Sequence, residues 1–253
     1  MRIINLDNEY KAENPCILAM GMFDGLHRGH VALIEKTVEL KASYEVDAAL
    51  LTFITSPKAI FSDGYTGNIL SDEVRFELMS ELGVDICYLL ESSKEIFDMT
   101  PEQFFKEFIL KSLNPKCIVV GFNYTFGKNK AGNVSVLKSL CEEHDIDVHI
   151  LDPVCHDGEL ISSTGIKTAI SSSRFAEASA LLGRDYEVIA NITRTATKVI
   201  ATCDKDVILP SPGFYEANIS GAECKCEVKP DGEIEIDSKT LLVGIVAIKF
   251  IAQ

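Results

Sequence analysis

Tryptophan is absent from this 253-residue chain, and positive charge is scarce. Only 24 lysines and arginines face 38 aspartates and glutamates, a formal net charge of −14. A surface of that sign repels nucleic acid and anionic membrane, so neither is expected as a partner. Any phosphate-bearing ligand must meet a local concentration of donors. No apolar stretch approaches the ~20 residues of a membrane span. The opening MRIINLDNEYKAENP is polar and charged, unlike a secretion leader. The expected location is therefore cytoplasmic, with the eight cysteines as reduced thiols in or near the core. Cys224 and Cys226 alternate on a strand-like stretch, and no second Cys/His pair has zinc spacing. A P-loop is missing as well. Gly127-Lys128 lacks both the glycine spacing and the following hydroxyl. There is no internal repeat and no low-complexity tract, and oligomeric state is not legible.

What is present alternates. Short apolar runs, CILAMG (16–21), AALLTF (48–53), ICYLLE (86–91), CIVVG (117–121) and DVHIL (147–151), are separated by stretches with helical spacing. Examples of the latter are Val31, Leu33, Ile34, Val38 and Leu40, then Phe104, Phe105, Phe108, Ile109 and Leu113. Continuous apolar strands alternating with helices predict an α/β fold, a parallel sheet covered on both faces. Ligands of such sheets bind at the carboxyl ends of the strands. Beyond Gly183-Arg184 the helical period stops. EVIANITRTATKVIAT, a CKCEV/GEIEI hairpin turning at Pro230-Asp231-Gly232, and LLVGIVAIKFIA read as strands of a small, reduced β domain. The expected domains are 1–186 and 187–253.

Four stretches carry candidate chemistry. In GMFDGLHRGH (21–30), Gly21 ends the first apolar run, and Gly25 and Gly29 let a ligand approach the backbone. His27 and His30, three apart at the start of the next helix, are placed to share a face. A helix N-terminus attracts anions, and two imidazoles there can stabilise charge building on phosphate. A zinc pair would lack a third ligand, and incidental histidines would not explain three glycines. In Ile161-Ser162-Ser163-Thr164-Gly165-Ile166-Lys167, hydroxyls can cap a helix and contact phosphate, with Lys167 one turn in. Alone this stretch is a helix cap; beside the histidines it is a second phosphate clamp. After CIVVG, the loop from Gly121 through Asn123 and Phe126 to Lys128 offers aromatics for a flat ring and an amide for its edge. The same aromatics can equally anchor the loop in the core. Pro57 and Phe61, after the second run, can wall a pocket or only pack their own loop.

These stretches, in this order, resemble the prokaryotic FAD synthetase family, the bifunctional riboflavin kinase/FMN adenylyltransferases. The resemblance covers about residues 16–186, through LLGRDY. It implies a Rossmann-like nucleotidylyltransferase fold with the HxGH signature, here His27-Arg28-Gly29-His30. For ATP it implies Gly21, Phe23, Asp24, Gly25, His27, His30, Gly121, Ser163, Thr164 and Lys167. For FMN it implies Asn123, Phe126, Phe61 and Pro57. His27, His30 and Lys167 are the implied catalytic set, with Mg²⁺ as cofactor and its ligands unassigned. Asp24 is placed near the nucleotide or as an organiser of its loop. The chain departs from the family in three places. Ser56 stands in place of a histidine after the second run, Gly165 and Lys167 in place of two arginines, and no Pro-Thr-Ala-Asn segment exists in the β part.

The expectation is an FMN adenylyltransferase forming FAD and pyrophosphate from FMN and ATP, without riboflavin kinase activity. The β part is then a remnant of a kinase barrel. The rival from another class is a non-catalytic flavin- or nucleotide-binding regulatory paralogue, suggested by Ser56 and Gly165. A nucleotidylyltransferase for another phosphate acceptor would carry the same HxGH, but GFNYTFG and the β segment favour flavin. A class I aminoacyl-tRNA synthetase is disfavoured by the charge of −14.

Overall fold

The computed structural model describes the chain apart from residues 8, 62–64, 197, 239–242 and 252–253. At positions 58 and 61 it describes the backbone only. Contacts divide it into two compact units, one of residues 1–23, 29–65 and 76–154, the other of 24–28, 66–75 and 155–253.

In chain order the elements up to residue 151 are β1 (Arg2–Leu6), β2 (Cys16–Met20), α1 (Arg28–Tyr44), β3 (Asp47–Phe53), α2 (Pro57–Phe61), α3 (Asp72–Glu81) and β4 (Ile86–Leu90). Then come α4 (Lys94–Phe97), α5 (Pro101–Phe104), β5 (Pro115–Gly121), α6 (Val134–Glu142) and β6 (Asp147–Leu151). The six strands form one parallel sheet in the order β1-β4-β3-β2-β5-β6. Every residue of β2 and β4 is buried, the condition under which a strand reads as an unbroken apolar run. One face packs Leu18, Met20, Ile118 and Val120 against Phe104, Phe105, Phe108, Leu137 and Cys141. The strand order reverses beside β2. The chain steps outward through β3 and β4, then returns to lay β5 on the other edge of β2.

Two features depart from the sequence expectation. β1 was not anticipated. It is an edge strand whose residues are mostly exposed, Ile3 at 49%, so it shows no apolar run. The helix expected through Phe104–Leu113 continues from α5 as a π-helix over Phe105–Leu113. Its wider turn shows in the Asn114 amide donating to the Ile109 carbonyl, five residues back.

The second unit contains β7 (Cys155–His156) and β8 (Glu159–Leu160), a short hairpin, then α7 (Ser163–Ser171) and α8 (Phe175–Leu182). It ends in β9 (Glu187–Arg194), β10 (Val199–Cys203), β11 (Gly213–Ile219), β12 (Ala222–Val228), β13 (Ile234–Asp237) and β14 (Gly244–Phe250). These six close into an antiparallel barrel, ordered β10-β13-β12-β11-β14-β9. The strands were expected; their closure was not. The β12–β13 hairpin turns at Pro230-Asp231-Gly232 as expected, with Gly232 at φ 85. Alternate residues such as Val188, Ala190 and Ile192 point inward. At one end Phe250 is surrounded by Phe175, Tyr186 and Tyr215, at ring separations of 5.4, 6.1 and 5.7 Å. The Tyr186 hydroxyl donates to the Ile208 carbonyl at 2.8 Å. All eight cysteines are free thiols, and five are buried. Burial pushes the Cys16 thiol up to about 12. No helix among the described residues is long and apolar enough to cross a membrane.

The aromatic cluster makes a stability prediction. Phe250→Ala should destabilise the barrel by about 3–5 kcal/mol through a cavity among the three rings. Phe214→Ala, at a ring 76% exposed, should stay within about 0.5 kcal/mol. Urea melts followed by circular dichroism measure both; equal costs would mean the rings do not act as a packed cluster.

Candidate functional site

In the first unit, two loops leave the carboxyl ends of β2 and β5, the neighbouring strands at which the order reverses. The chain leaves β2 at Gly21, whose amide donates to the Leu51 carbonyl at 3.2 Å. Phe23 lies in the left-handed region (φ 49) and is fully buried. Its ring packs beneath His30, with centroids 5.5 Å apart and planes tilted by 60°. A Cβ at Gly21 would sit 3.4 Å from the Phe23 ring, at van der Waals contact. His30 itself is half-buried, in the first turn of α1.

After β5, Asn123 is exposed, and Tyr124 folds back to donate its hydroxyl to Met20 Sδ at 3.7 Å. Phe126 is 7% exposed. Its ring stacks on Tyr124 at 5.6 Å and contacts Phe104 at 6.1 Å. Its backbone exchanges two 3.0 Å hydrogen bonds with Gly132, where a Cβ would meet the ring at 2.7 Å. These contacts match the loop-anchor reading of this aromatic. Pro57 is half-buried at the start of α2. The Phe61 side chain lies outside the described residues.

In the second unit, residues 24–28 are held by donors from three directions. The Asp24 carboxylate accepts from the Ile69 amide at 2.7 Å and pairs with Lys167 Nζ at 2.6 Å. Both charged side chains are largely buried, at 12% and 16% exposure. The Asp24 carbonyl accepts from Ser163 Oγ at 3.0 Å. Gly25 (φ 80) has no room for a Cβ, which would fall 2.6 Å from Ile69 Cδ1. The Gly25 and Leu26 carbonyls accept from the two terminal nitrogens of Arg184, at 2.6 and 2.9 Å. Ser162 caps α7 by accepting from the Gly165 amide at 3.2 Å, as the sequence implied. Thr164 lies in the first turn of the same helix and is exposed. His27 is 7% exposed, immediately before α1.

The ISST helix, Lys167 and the aspartate of the opening motif are thus brought together. Of the two roles open to Asp24, organising its loop is the one its contacts match. Arg184 and Ile69 were not singled out as site residues. In the sequence Arg184 marks only the domain boundary within LLGRDY, and nothing in a sequence tells that a backbone amide will meet a carboxylate. His27 serves here as a neutral hydrogen-bonding group, since burial lowers it to about 4. Asp24 and a hydrogen bond with its own backbone pull it back up, while Arg184 adds to the lowering. Among the described residues no group of three or more His, Cys, Asp or Glu could hold a metal ion.

The lowered His27 predicts a pH dependence of stability. Between pH 6.5 and about 4 an unfolded chain binds a proton at His27 that the folded chain refuses. Stability is therefore lost as pH falls through that window and regained above it. His27→Gln should flatten this limb. Urea midpoints at pH 7 and pH 5 should differ less in the variant than in the native protein; identical differences would contradict the assignment.

Residues 9–165 match the family model described as FAD synthetase. The chain is 29% identical over 209 residues to the bifunctional riboflavin kinase/FMN adenylyltransferase of Listeria monocytogenes, covering 79% of this chain and 66% of that one. Against the Escherichia coli (strain K12) protein of the same description it is 26% identical over 178 residues, 70% and 57% of the two chains. It spans less than two thirds of the length of these bifunctional relatives. A Listeria monocytogenes protein described as FAD synthetase is 29% identical over 213 residues, 82% of this chain and 83% of that one. A solved Streptococcus pneumoniae protein described as a macrolide-efflux protein shares the fold, with a TM-score of 0.86 over 100% of this chain and 99% of that one, at 24% identity. With the family model running from residue 9 through the HxGH turn and the β5 loop to the cap of α7, this chain belongs to the FAD synthetase family.

Proposed function

We propose that the protein is an FMN adenylyltransferase, joining FMN to the adenylyl group of ATP to give FAD and pyrophosphate. The observation that carries this reading is the family match over residues that include the whole GMFDGLHRGH stretch. The FMN phosphate attacks the α-phosphorus in line; a new P–O bond forms as the bond to pyrophosphate breaks. An anionic phosphate is its own nucleophile, so no general base is required. The protein's contribution is positioning and charge neutralisation. ATP enters as its Mg²⁺ complex, the ion belonging to the substrate.

For ATP we propose Gly21, Phe23, Asp24, Gly25, His27, His30, Gly121, Ser163, Thr164 and Lys167. His27 acts as a neutral donor to phosphate oxygen, which its burial supports. His30, backed by Phe23, donates to the developing charge. Lys167, steered by Asp24, supplies the cation. For FMN we propose Asn123, Phe126, Pro57 and Phe61, with the buried Phe126 holding the loop that presents Asn123. Residues 1–186 form the adenylyltransferase domain and 187–253 a barrel without kinase activity. Two observations support the absence of a kinase. The strand-and-loop span 187–209, EVIANITRTATKVIATCDKDVIL, has no glycine with which to cradle a phosphate. The relative that this chain spans over four fifths of its length is named FAD synthetase alone.

The rival, a non-catalytic flavin- or nucleotide-binding regulatory paralogue, draws on Ser56 and Gly165 and on the pairing of Lys167 with Asp24. Chromatography of a reaction containing FMN, ATP and Mg²⁺ separates the two readings. FAD should form, and its absence would favour the rival. Riboflavin in place of FMN should give neither FMN nor FAD; FMN formation would restore a kinase site to the barrel. His30→Ala should cut turnover by about a hundredfold with a smaller change in the KM for ATP, and native turnover in that variant would remove His30 from the mechanism.

A further inference from the structure

We infer that Arg184 is a positioning residue for the HxGH turn: its guanidinium fork fixes the two peptides that lead into His27 and so sets where that imidazole points. The inference goes beyond the adenylyltransferase reading and rests on it only for its activity readout.

The geometry is specific. Arg184 spends both terminal nitrogens on consecutive carbonyls, Gly25 at 2.6 Å and Leu26 at 2.9 Å. A planar fork matches two adjacent acceptors in a way a lysine ammonium cannot. A peptide unit is planar and trans, so fixing a carbonyl also fixes the amide on its other side. With the Gly25 and Leu26 carbonyls turned toward Arg184, the Leu26 and His27 amides are turned away from it. The backbone needs this hold, because both residues lie in the left-handed region, Gly25 at φ 80 and Leu26 at φ 41. For leucine that conformation is strained and persists only where its surroundings enforce it.

Arg184 is itself delivered by construction. It follows Gly183, the left-handed C-cap of α8 at φ 79. A Cβ on Gly183 would fall 2.9 Å from Arg28 Cγ, so the glycine serves both the helix end and the passage of the neighbouring side chain. No carboxylate is hydrogen-bonded to Arg184 in the contacts described. Burial lowers its basicity, with Glu187 opposing from a distance. A largely buried cation bonded to backbone carbonyls is an expensive way to tie down a loop, and its charge also acts on His27. The charged groups acting on that imidazole are Asp24 and Arg184. Lys167 is bound to Asp24, and Arg28, next in the chain, reaches His156 at 3.4 Å.

The test uses Arg184→Lys, which keeps the charge and loses the fork, and Arg184→Gln, which loses both. Each is checked for native circular dichroism first. In FAD synthesis, Arg184→Lys should lower kcat about tenfold or more while the KM for FMN stays within about twofold. Native kcat in Arg184→Lys would overturn the inference. The second readout needs no activity. Imidazole ¹H–¹³C NMR titration should show the His27 midpoint rising in Arg184→Gln, with its chemical shift displaced in both variants. A His27 resonance unchanged in position and midpoint would overturn the inference even if turnover fell. If the native protein makes no FAD, the adenylyltransferase reading fails and the titration still decides the role of Arg184.

Discussion

Strand β2 is paired along both edges, to β3 on one side and β5 on the other, and the rest of the sheet follows from that double pairing. Its five residues, Cys16 to Met20, are at most 3% exposed and carry no hydroxyl, amide or charge. The strand can hold chemistry only where it ends. Because the chain goes outward from one edge and comes back to the other, the loops after β2 and β5 diverge at their carboxyl ends. In open α/β sheets this divergence makes the crevice for a ligand. Gly21 and Gly121 each stand at such an exit, with His30 nine residues after the first and Asn123 two after the second. The Tyr124 hydroxyl on Met20 Sδ ties one exit to the other strand.

A protein this acidic must gather its positive groups locally to meet any phosphate-bearing ligand, and the 24–28 segment shows how such groups are held. Asp24 is the pivot. A buried carboxylate is tolerated only when paired and hydrogen-bonded, and Asp24 has both an ammonium and an amide. Arg184 approaches the same segment through its carbonyls, and Ser163 through another. The hydrogen bonds that Arg184 makes to their carbonyls hold Gly25 and Leu26 in their unusual conformations. The histidine that follows is kept neutral by the same burial, suited to donate a hydrogen bond rather than to carry charge.

Much of the fold is legible in the residues. β2 to β6 lie within two residues of the runs read from apolarity; for β2 to β5 the reason is that strands buried on both faces admit little else. The α7 cap is equally legible, since Ser162 precedes helix-forming spacing and its side chain has one obvious partner. β1 escapes because an edge strand needs no apolar run. The π-helix escapes because residues 105, 108, 109 and 113 satisfy an α-helical period as well. Phe126 shows the limit for a site residue: an aromatic beyond a strand end reads the same whether its ring is open or packed on Tyr124 and Phe104.

By itself, then, the sequence determined the parallel sheet, the strand content of the last third and the motif order that carries the family, because each rests on local pattern or on spacing along the chain. Tertiary structure alone decided that the last six strands close into a barrel, since closure depends on β9 meeting both β10 and β14, far apart in sequence. It also decided that Lys167 meets Asp24 and that Arg184 meets Gly25 and Leu26, across 143, 159 and 158 positions. No local pattern encodes such pairs. They form because burying one charged or polar group obliges the fold to bring its partner, wherever along the chain that partner happens to be.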